Sequence, residues 1–373
     1  MKKVLFTATV DSHILNFHIP YLKWFREKGY EVHVASNGSA NIPYSDKKYD
    51  IAFERSPFKI TNIRVYKALK KIIDENQYEV IHCHTPMGSV LTRLAARKAR
   101  KHGTKVIYTA HGFHFYQGSP LINWALYYPV EKWLSKYTDC LITLNSEDYQ
   151  RACAKFDHHC SNKYVDGVGV DVSKFVPQTL SVKAELRKSF GYSSEEFILL
   201  YTGEMSYRKH QDLLLKVVHL LKNQIPNIKL LLAGTGSLLE HYQELSRKLE
   251  IESYVVFLGY RNDVDKLLQI SDIAVSSSRQ EGLPVNIIEA MATALPLVVT
   301  DSRGNRDLVV DGQNGFIAGI NDVDGFAEAV AKIYKSKELR VTFSKKNEEL
   351  VDKYALKRVI NHMGDIYSEY IER

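Results

Sequence analysis

The chain has 373 residues, too many for one ordinary hydrophobic core and enough for two domains. Its composition, 45% hydrophobic and 25% charged, is typical of a soluble globular protein. The net charge of +7 is concentrated in residues 1–170, which have 24 basic and 15 acidic residues. This excess predicts contact with an anionic membrane surface or a phosphorylated acceptor. Nucleic acid is not expected as a partner, because no recognised module or arginine-rich run supports it.

The first residues predict a strand rather than an export signal. Only seven residues, Val4 to Val10, separate Lys3 from Asp11, too few for the apolar core of a secretory signal. No apolar run approaches the roughly 20 residues of a membrane-spanning helix. We therefore expect a cytoplasmic protein, peripheral on the inner face of the cell membrane, with reduced cysteines. The segment Cys153–Cys160 contains two histidines, but its spacing fits no common zinc site and indicates a polar loop.

Predicted strands and helices alternate along the first half of the chain. The predicted strands are Lys3–Thr9, Glu31–Ala35, Ile51–Glu54, Glu79–Cys83, Lys105–Thr109 and Cys140–Leu144. The predicted helices are Asn16–Lys28, Asn62–Glu75, Gly88–His102, Leu121–Tyr137 and Glu147–Lys155. This alternation favours a parallel sheet covered by helices on both faces.

A second alternating series follows a predicted linker at Gly167–Asp171. Its predicted strands are Phe197–Thr202, Ile228–Ala233, Tyr254–Leu258, Ile273–Ser276 and Leu297–Thr300. Its predicted helices are His210–Asn223, Ser237–Glu250, Val285–Ala294, Val323–Lys335, Leu339–Asp352 and the amphipathic Leu356–Ile371. We expect an α/β protein with two Rossmann-like domains that face a central cleft, residues 1–168 and 169–352. A C-terminal helix, residues 353–373, is expected to pack on the first domain.

Loops at the carboxyl ends of such strands are the expected ligand sites. The most informative loop follows Ile273–Ser276: Glu281 lies in it, and Gly282-Leu283-Pro284 leads into a helix that begins at about Val285. The free N–H groups of this helix start form an anion-friendly pocket. Glu289 lies just over one turn later, where its carboxylate can accept hydrogen bonds from two neighbouring sugar hydroxyls. Taken alone, each glutamate would favour a simpler explanation, a contact with the helix dipole.

A second loop, after Phe197–Thr202, contains Arg208 and Lys209 directly before a predicted helix. Paired cations at a helix N-terminus suit a diphosphate, on which a leaving group develops extra negative charge. An isolated pair would indicate only a solvated helix start. Its position after a strand, together with the two glutamates, favours a diphosphate site.

These loops resemble those of the family-4 glycosyltransferases, retaining enzymes of the two-domain GT-B fold. The residues Glu281–Met291 follow the pattern E-G-x-P-x(4)-E-A-M, and Pro296–Asp301 follow P-x-V-x-T-D. Ala110–Phe115 and Arg303–Leu308 are similar to segments of the capsule and exopolysaccharide subgroup. The resemblance covers essentially the whole chain.

The resemblance implies roles for individual residues. The implied catalytic residues are His111, Arg208, Lys209 and Glu281. The implied donor-binding residues are Gly203, Arg261, Gly282, Leu283, Pro284, Val285 and Glu289. Lys209 and Arg208 are expected to stabilise the departing diphosphate, while Glu281 orients the sugar. Glu289 is expected to hold the ribose and Arg261 to stack on the base, most often uracil.

This chain departs from the family pattern at two loops. Glu204 stands where relatives commonly have an arginine, so Arg208 is expected to supply that charge. The loop after the first predicted strand, Val10–His13, lacks the glycines that many relatives have there. This difference predicts that Asp11 or His13 shapes an acceptor pocket. His84, at a strand end, is expected to reach the acceptor. The family generally needs no bound metal, and the sequence offers no convincing metal site, so no cofactor is expected.

Three other segments have competing interpretations. The aromatic residues of Phe113–Tyr137 have the spacing of core packing, but on a basic domain they also suit a membrane interface. The segment Ala233–Gly236 resembles half of a dinucleotide fingerprint, yet it lacks the third glycine, so NAD is not expected. Asp263 is predicted to start a helix rather than to bind metal. The sequence assigns no role to Arg303–Asp307.

The predicted activity is transfer of a hexose or N-acetylhexosamine from a UDP-sugar, above all a UDP-N-acetylhexosamine, with retention. The predicted acceptor is a polyprenyl-diphosphate-linked saccharide in capsule or exopolysaccharide synthesis. Two alternatives remain at this point. A UDP-sugar 2-epimerase of the same fold would need acid and base carboxylates in the cleft. A non-catalytic sugar-nucleotide-binding subunit would not need Lys209, Glu281 and Glu289 together.

Overall fold

The structure is a computed structural model that describes residues 1–54 and 56–371. The chain divides into two compact units. The first unit comprises Met1–Val168 and Val359–Arg373, and the second comprises Gly169–Arg358. Each unit is built around its own parallel β-sheet, which confirms the predicted α/β class.

Among the described residues, the first unit has a sheet of seven strands. The strands are β1 Lys3–Val10, β2 Glu31–Asn37, β3 Lys47–Asp50, β4 Val80–His84, β5 Lys105–Ala110, β6 Cys140–Thr143 and β7 Ser161–Tyr164. The helices are α1 Asp11–Phe17, α2 Ile19–Glu27, α3 Thr61–Asn76, α4 Pro86–Ala95, α5 Arg97–Lys101, α6 Leu121–Leu134 and α7 Ser146–Lys155. The strand order is β3-β2-β1-β4-β5-β6-β7, with every neighbouring pair parallel.

The second unit, all of which is described, has a sheet of six strands. Its strands are β8 Phe197–Thr202, β9 Ile228–Ala233, β10 Val255–Gly259, β11 Ile273–Ser276, β12 Leu297–Thr300 and β13 Gly315–Ala318. Its helices are α8 Leu180–Phe190, α9 Gln211–Leu221, α10 Leu239–Lys248, α11 Val264–Ile270, α12 Val285–Ala292, α13 Arg303–Leu308, α14 Val323–Lys335 and α15 Lys337–Val351. The strand order is β10-β9-β8-β11-β12-β13, again parallel throughout.

Both sheets reverse their strand order once. In the first sheet β1 lies beside β4, and in the second β8 lies beside β11. At such a reversal the loops that leave the two strands diverge to opposite faces of the sheet, and a crevice opens at their carboxyl ends. The strands themselves are buried on both faces, as in β1, where every residue from Val4 to Thr9 is buried. The ligand-binding positions of both units are therefore expected at these reversals.

The final helix, α16 Leu356–Ile371, begins in the second unit and continues into the first. The hydroxyl of Tyr367 lies 2.8 Å from Nδ1 of His82 in β4, and Tyr367 also packs against Phe25. Lys163 forms an ion pair of 2.7 Å with Glu369. A side chain at Gly364 would collide with the indole of Trp24. These contacts hold the end of the chain against the first sheet.

Several predicted elements of the first unit were wrong in extent. The predicted helix Asn16–Lys28 is two helices, because Pro20 lacks an N–H group and can stand only in a first turn. The predicted strand Ile51–Glu54 is not a strand, and the strand of this region is the polar β3, Lys47–Asp50, which ends just before it. Ile51 and Phe53 are buried in the core beyond the end of that strand. Sequence periodicity also did not indicate β7, a polar edge strand.

Four strands of the second unit, β8, β9, β11 and β12, have the predicted bounds to the residue. Three elements were missed: α8, β13 and α13. The segment Arg303–Asp307, expected to be a loop, lies in the short helix α13, Arg303–Leu308. A helix of six residues is unstable by itself, so its formation depends on tertiary contacts that the local sequence does not reveal.

Candidate active site

The reversal between β8 and β11 brings the two predicted donor loops of the second unit together. The hydroxyl of Ser277 donates to the carbonyl oxygen of Lys209 at 2.8 Å. The N–H group of Arg279 donates to the carbonyl oxygen of Arg208 at 2.9 Å. These two bonds join the loop after β11 to the loop after β8. Both predicted cations are thereby positioned beside the loop that contains Glu281.

Lys209, Arg208 and Glu281 form one charged cluster. Nζ of Lys209 lies 2.6 Å from Oε1 of Glu281, and Nη1 of Arg208 lies 3.3 Å from Oε2. The side chains of Lys209 and Glu281 are nearly buried, whereas that of Arg208 is 45% exposed. Burial by itself would raise the pKa of Glu281, but Lys209 and Arg208 bring it below its usual value. Glu281 is therefore an ionised carboxylate.

The charged cluster lies directly before helix α12. The side-chain amide of Asn286 donates to the carbonyl oxygen of Thr202 at 2.9 Å and fixes the helix start beside the end of β8. Pro284 precedes the first helical residue, Val285. The N–H groups of Ile287 and Ile288 donate to the carbonyl oxygen of Pro284. Those of Val285 and Asn286 come before the first intrahelical bonds, so they can bind an anion or a sugar oxygen. The predicted donor-binding backbone thus adjoins the charged cluster.

Glu289 is on α12, one turn after Val285. Burial raises the pKa of its carboxyl to about 7, while Lys174 partly opposes that shift. Nζ of Lys174 lies 3.9 Å from a carboxylate oxygen of Asp265, so this cation is shared with a second carboxylate. Glu289 therefore differs from Glu281: burial raises its pKa, whereas the neighbouring cations lower the pKa of Glu281.

Glycines at the carboxyl ends of β8, β9 and β10 pack against one another. The N–H group of Gly203 donates to Ala233 at 2.9 Å, and that of Gly234 donates to Gly259 at 2.7 Å. A methyl group on Gly234 would collide with the carbonyl of Gly203, and one on Gly236 would collide with the backbone of Met205. The Ala233–Gly236 segment is therefore a support for the loop that begins at Gly203.

Arg261 has a partner that the sequence analysis did not assign to it. Its guanidinium forms two hydrogen bonds with Asp263, at 2.7 and 2.6 Å. Asp263 is the residue before α11, as predicted for a helix start, but its side chain binds Arg261 instead of the helix N–H groups. This fork holds the guanidinium plane in one orientation, in the loop directly after β10.

The structure also gives Arg303–Asp307 a role that the sequence analysis did not find. Nε of Arg303 donates to the carbonyl oxygen of Glu281 at 2.9 Å. A side chain at Gly304 would meet the carbonyl carbon of Gly282 at 2.9 Å and Cδ of Pro284 at 3.0 Å. Helix α13 therefore packs directly on the Glu281 loop and supports it. The absence of a side chain at Gly304 was the only local signal of this contact.

In the first unit, three predicted site residues, His13, His84 and His111, lie together with a fourth histidine. Nε2 of His13 lies 3.2 Å from Nε2 of His111. The ring of His84 stacks on that of His18, with 3.6 Å between centroids. Sequence analysis missed His18, which stands at the junction of α1 and α2. Its distance of five residues from His13 follows no helical or strand period.

Asp11 is engaged within the first unit. Its carboxylate accepts hydrogen bonds from the Ser36 hydroxyl at 2.6 Å and from the Ala40 N–H group at 2.9 Å. Nζ of Lys48 lies 3.1 Å from the same carboxylate. These contacts join the end of β1 to β2 and to the loop that follows it. Any influence of Asp11 on an acceptor therefore acts through the position of this loop.

A cavity of about 730 Å³ opens in the first unit. Most of its lining is apolar and includes Val10, Met87, Val90, Phe113, Leu126 and Val130. Polar groups also contribute, among them His13, Thr85 and His114. Glu131 in the lining is nearly buried and forms an ion pair of 2.9 Å with the buried Arg93. A ligand that fills this cavity must be mainly apolar, with a polar part near the histidines.

One face of α6 exposes large apolar side chains. Leu121 is 86% exposed and Ile122 is 59% exposed, and Leu126, Val130 and Trp133 are also exposed. Leu126 and Val130 belong to the cavity lining as well, so the exposed face continues into the cavity. By contrast, Trp124, Tyr127 and Tyr128 pack against the core of the first unit. Some aromatic residues of this segment therefore pack in the core, whereas Trp133 lies on the exposed apolar face.

Family profiles match both parts of the chain. The profile described as glycosyl transferase 4-like matches residues 3–145, and that of glycosyl transferases group 1 matches residues 182–350. The fold is similar to that of Anabaena HepE in complex with UDP and glucose, with a TM-score of 0.81 and 18% identity. That similarity covers 99% of this chain and 100% of the other. A sucrose-phosphate synthase from Thermosynechococcus elongatus gives a TM-score of 0.82 at 17% identity, with 100% of each chain covered.

Sequence relatives extend along the whole chain. The E. coli UDP-Gal:α-D-GlcNAc-diphosphoundecaprenol α-1,3-galactosyltransferase is 28% identical over 321 residues, 83% of this chain and 79% of that protein. The EpsD protein of Bacillus subtilis (strain 168), which bears the name of a glycosyltransferase, is 46% identical over 371 residues. That match covers 100% of this chain and 97% of EpsD. With such identity along its entire length, and with the fold and motifs described above, the chain belongs to the family-4 glycosyltransferases of the GT-B fold.

Proposed function

We propose that this glycosyltransferase moves a hexose or N-acetylhexosamine from a UDP-sugar to a lipid-linked saccharide, with retention at the anomeric carbon. The observation that carries the proposal is the charged cluster of Lys209, Arg208 and Glu281 at the carboxyl edge of the second sheet. Fixed cations beside a helix N-terminus can stabilise the negative charge of a departing nucleoside diphosphate. No metal ion is required for this role, because Lys209 and Arg208 supply the positive charge.

The donor is proposed to occupy the second unit. Lys209 and Arg208 would bind the diphosphate beside Gly203, and Glu281 would turn from them toward hydroxyls of the sugar. The backbone of Gly282–Val285 would hold the same sugar. UDP is supported as the nucleotide by two findings. HepE, which has the same fold, is known with UDP and glucose, and the E. coli relative is named for a UDP-Gal donor.

The nucleoside is proposed to lie between two fixed groups of the second unit. Glu289 would accept hydrogen bonds from the ribose hydroxyls, since its carboxylate is half-buried one turn into α12. Arg261, oriented by Asp263, would present its planar face to the base. The family resemblance implies these roles for Glu289 and Arg261, and the local geometry of both residues is compatible with them.

Retention is proposed to follow from reaction on the side of the leaving group. The bond between C1 of the sugar and the β-phosphate oxygen breaks, and its electron pair stays on that oxygen. The acceptor hydroxyl attacks C1 from the same face and gives its proton to the departing phosphate. This course needs no side-chain base, and His111 would line the reacting face. Atoms and charges balance without any further reactant.

The acceptor is proposed to be a saccharide linked to a polyprenyl diphosphate. The apolar cavity of the first unit, with His13, Thr85 and His114 among its polar groups, suits a molecule with an apolar chain and a polar head. The E. coli relative is named for an undecaprenol-diphosphate acceptor. An acceptor of this kind would serve capsule or exopolysaccharide synthesis.

The same features support attachment to the inner face of the cell membrane. The first 170 residues have an excess of nine positive charges, and α6 exposes Leu121 and Ile122. Exposed apolar groups on a basic surface bind anionic membranes. None of the described helices is both long and apolar enough to cross a bilayer, so attachment would be at the surface.

The deciding experiment incubates the full chain with individual UDP-sugars and with undecaprenyl-diphosphate N-acetylglucosamine as acceptor. We expect a product whose mass is increased by one sugar, and an α linkage by NMR when the donor is α-linked. Conversion of UDP-N-acetylglucosamine to another UDP-sugar without any acceptor would instead identify an epimerase. Tight UDP-sugar binding without turnover on any lipid-linked acceptor would identify a non-catalytic subunit.

A further inference from the structure

Four histidines of the first unit surround the point where β1, β4 and β5 end. One ring nitrogen from each of His13, His18, His84 and His111 lies within 4.8 Å of the other three. We propose that these four imidazoles form a binding site for a divalent transition-metal ion, of which Zn²⁺ fits the arrangement best. The proposal goes beyond the transferase function and does not depend on it, although His111, His13 and His84 are also assigned to the transferase site.

The buried members of the cluster lack hydrogen-bonding partners. In the part of the chain that the structure describes, neither ring nitrogen of His18 or of His84 has a partner, although both side chains are buried. Buried polar groups are normally paired, so such nitrogens indicate a missing ligand. Neighbouring His82 provides the contrast, because its two nitrogens are bonded to Tyr367 and Thr109 at 2.8 Å each. Other buried groups of the described residues also lack a partner, among them Nδ1 of His210, but among the described buried histidines only His18 and His84 leave both ring nitrogens unpaired.

One distance in the cluster already matches that of a tetrahedral site, and the others lie within 4.8 Å. Zn–N bonds of about 2.0–2.1 Å place the nitrogens of a tetrahedral site roughly 3.3 Å apart. His13 and His111 already meet this spacing, with 3.2 Å between their Nε2 atoms. His18 and His84 stack face to face, and rotation of these two rings toward His13 and His111 would complete the tetrahedron.

The chemistry of the ligands favours a cation over an anion. The four ligands are all imidazoles, whose ring nitrogens can offer lone pairs to a metal ion. A set made only of nitrogen ligands suits Zn²⁺, Cu²⁺ or Ni²⁺ rather than Mg²⁺ or Ca²⁺, which prefer oxygen.

An ion has a route to this site. His18 and His84 are buried, but His13 and His111 are partly exposed, and His13 also belongs to the lining of the apolar cavity. The open side of the cluster therefore faces that cavity. An ion would reach His13 and His111 first and then displace the contact between the stacked rings.

The test uses the full chain without an affinity tag, stripped of metal with a chelator and titrated with Co²⁺ as a spectroscopic probe. We expect one Co²⁺ per chain, with the strong visible ligand-field bands of tetrahedral coordination and no thiolate charge-transfer band. Zn²⁺ should displace it in a competition titration. A thiolate band would instead identify the exposed Cys153 as the ligand and overturn the proposal. Absence of saturable binding would do the same.

Variants separate ligation from folding. His84→Ala should abolish binding, and His111→Gln should weaken it by more than about 100-fold, beyond the roughly 10–100-fold lost with an outer-shell partner. The control is His102→Gln, an exposed histidine of the same unit outside the cluster, which should bind like the wild type. If His84→Ala does not fold, as judged by circular dichroism, the partly exposed His111→Gln and His13→Gln decide. Unchanged affinity in these two would overturn the proposal.

Discussion

The two sheets have opposite chemistry at the same topological position. Where β8 meets β11 in the second unit, the loops bring together the ionised side chains of Lys209, Arg208 and Glu281. Where β1 meets β4 in the first unit, the loops bring together histidines beside an apolar cavity. A strand-order reversal therefore provides a place for a ligand, while the loop side chains decide which ligand. A charged diphosphate suits one site, and a mainly apolar acceptor suits the other.

Removal of Lys209 is the strongest test of the charged site. Because one preorganised charge at a leaving group contributes roughly 10²–10³ in turnover, Lys209→Ala should lower kcat by about that factor. The matched control is Arg208→Ala, which removes the same charge from a side chain that is 45% exposed and should lose less. A folded Lys209→Ala variant with near-normal kcat would contradict the diphosphate assignment.

The same variant should also lose stability. Breaking a nearly buried ion pair leaves Glu281 without its closest partner, which costs about 3–5 kcal/mol. Neutralising the partner in Lys209→Ala/Glu281→Gln should restore much of the loss in urea denaturation. If the double variant is no more stable than the single one, the ion pair is not what stabilises this loop.

The apolar site is tested by the exposed face of α6. Leu121→Ser/Ile122→Ser should weaken binding to anionic lipid vesicles by at least about tenfold, since burial of one such side chain contributes about 1.5–3 kcal/mol. Stability should hardly change, because both side chains are exposed. Leu180→Ser is the control, since Leu180 is 89% exposed but belongs to the second unit. Equal loss of vesicle binding in this control would remove α6 as the membrane contact.

Glu289 is an exception among the charged site residues of the second unit, because its carboxyl is largely neutral below pH 7. If only the carboxylate binds ribose, affinity for a UDP-sugar should rise about tenfold per pH unit up to about pH 7 and then level off. A UDP-sugar is used because free UDP has its own phosphate ionisation near neutrality. Calorimetry on Glu289→Gln should show no such pH dependence, and a retained rise would assign the titration to another group.

The raised pKa of Glu289 also has a consequence for the ligand-free chain. Between pH 4.5, its ordinary pKa, and about 7, the folded chain retains a proton that the unfolded chain has released. The stabilising contribution of the neutral carboxyl is therefore fully present below pH 4.5 and lost as pH rises through about 7. The stability difference between wild type and Glu289→Gln should grow across this range in urea denaturation and then stay constant.

The smallest expected effect concerns His82, which lies next to the histidine cluster and has a partner at each ring nitrogen. Tyr367→Phe removes the hydroxyl that bonds His82 and should lower the free energy of unfolding by about 1 kcal/mol. Turnover should not change, because His82 is already fully bonded within the core. A large loss of kcat with little loss of stability would show that His82 takes part in the reaction. His82 could then no longer serve as the purely structural histidine with which the unpaired His84 is compared.

Much of the fold and part of the site could be predicted from local sequence. Strands β8, β9, β11 and β12 are apolar runs bounded by turn residues, so their ends were readable to the residue. The Glu281–Met291 pattern was specific enough to indicate the family. Elements such as α13 and β7 could not be predicted, because short polar segments take their structure from contacts elsewhere in the chain.

By itself, the sequence determined the alternation of strands and helices, the parallel sheets and the class of enzyme, because all three depend on residues close together in the chain. Only the tertiary structure decided which side chains meet. Lys209 and Glu281 are 72 residues apart, and His13 and His111 are 98 apart. Such pairs form when strand order brings distant loops to one edge of a sheet, and strand order depends on packing that no local pattern encodes.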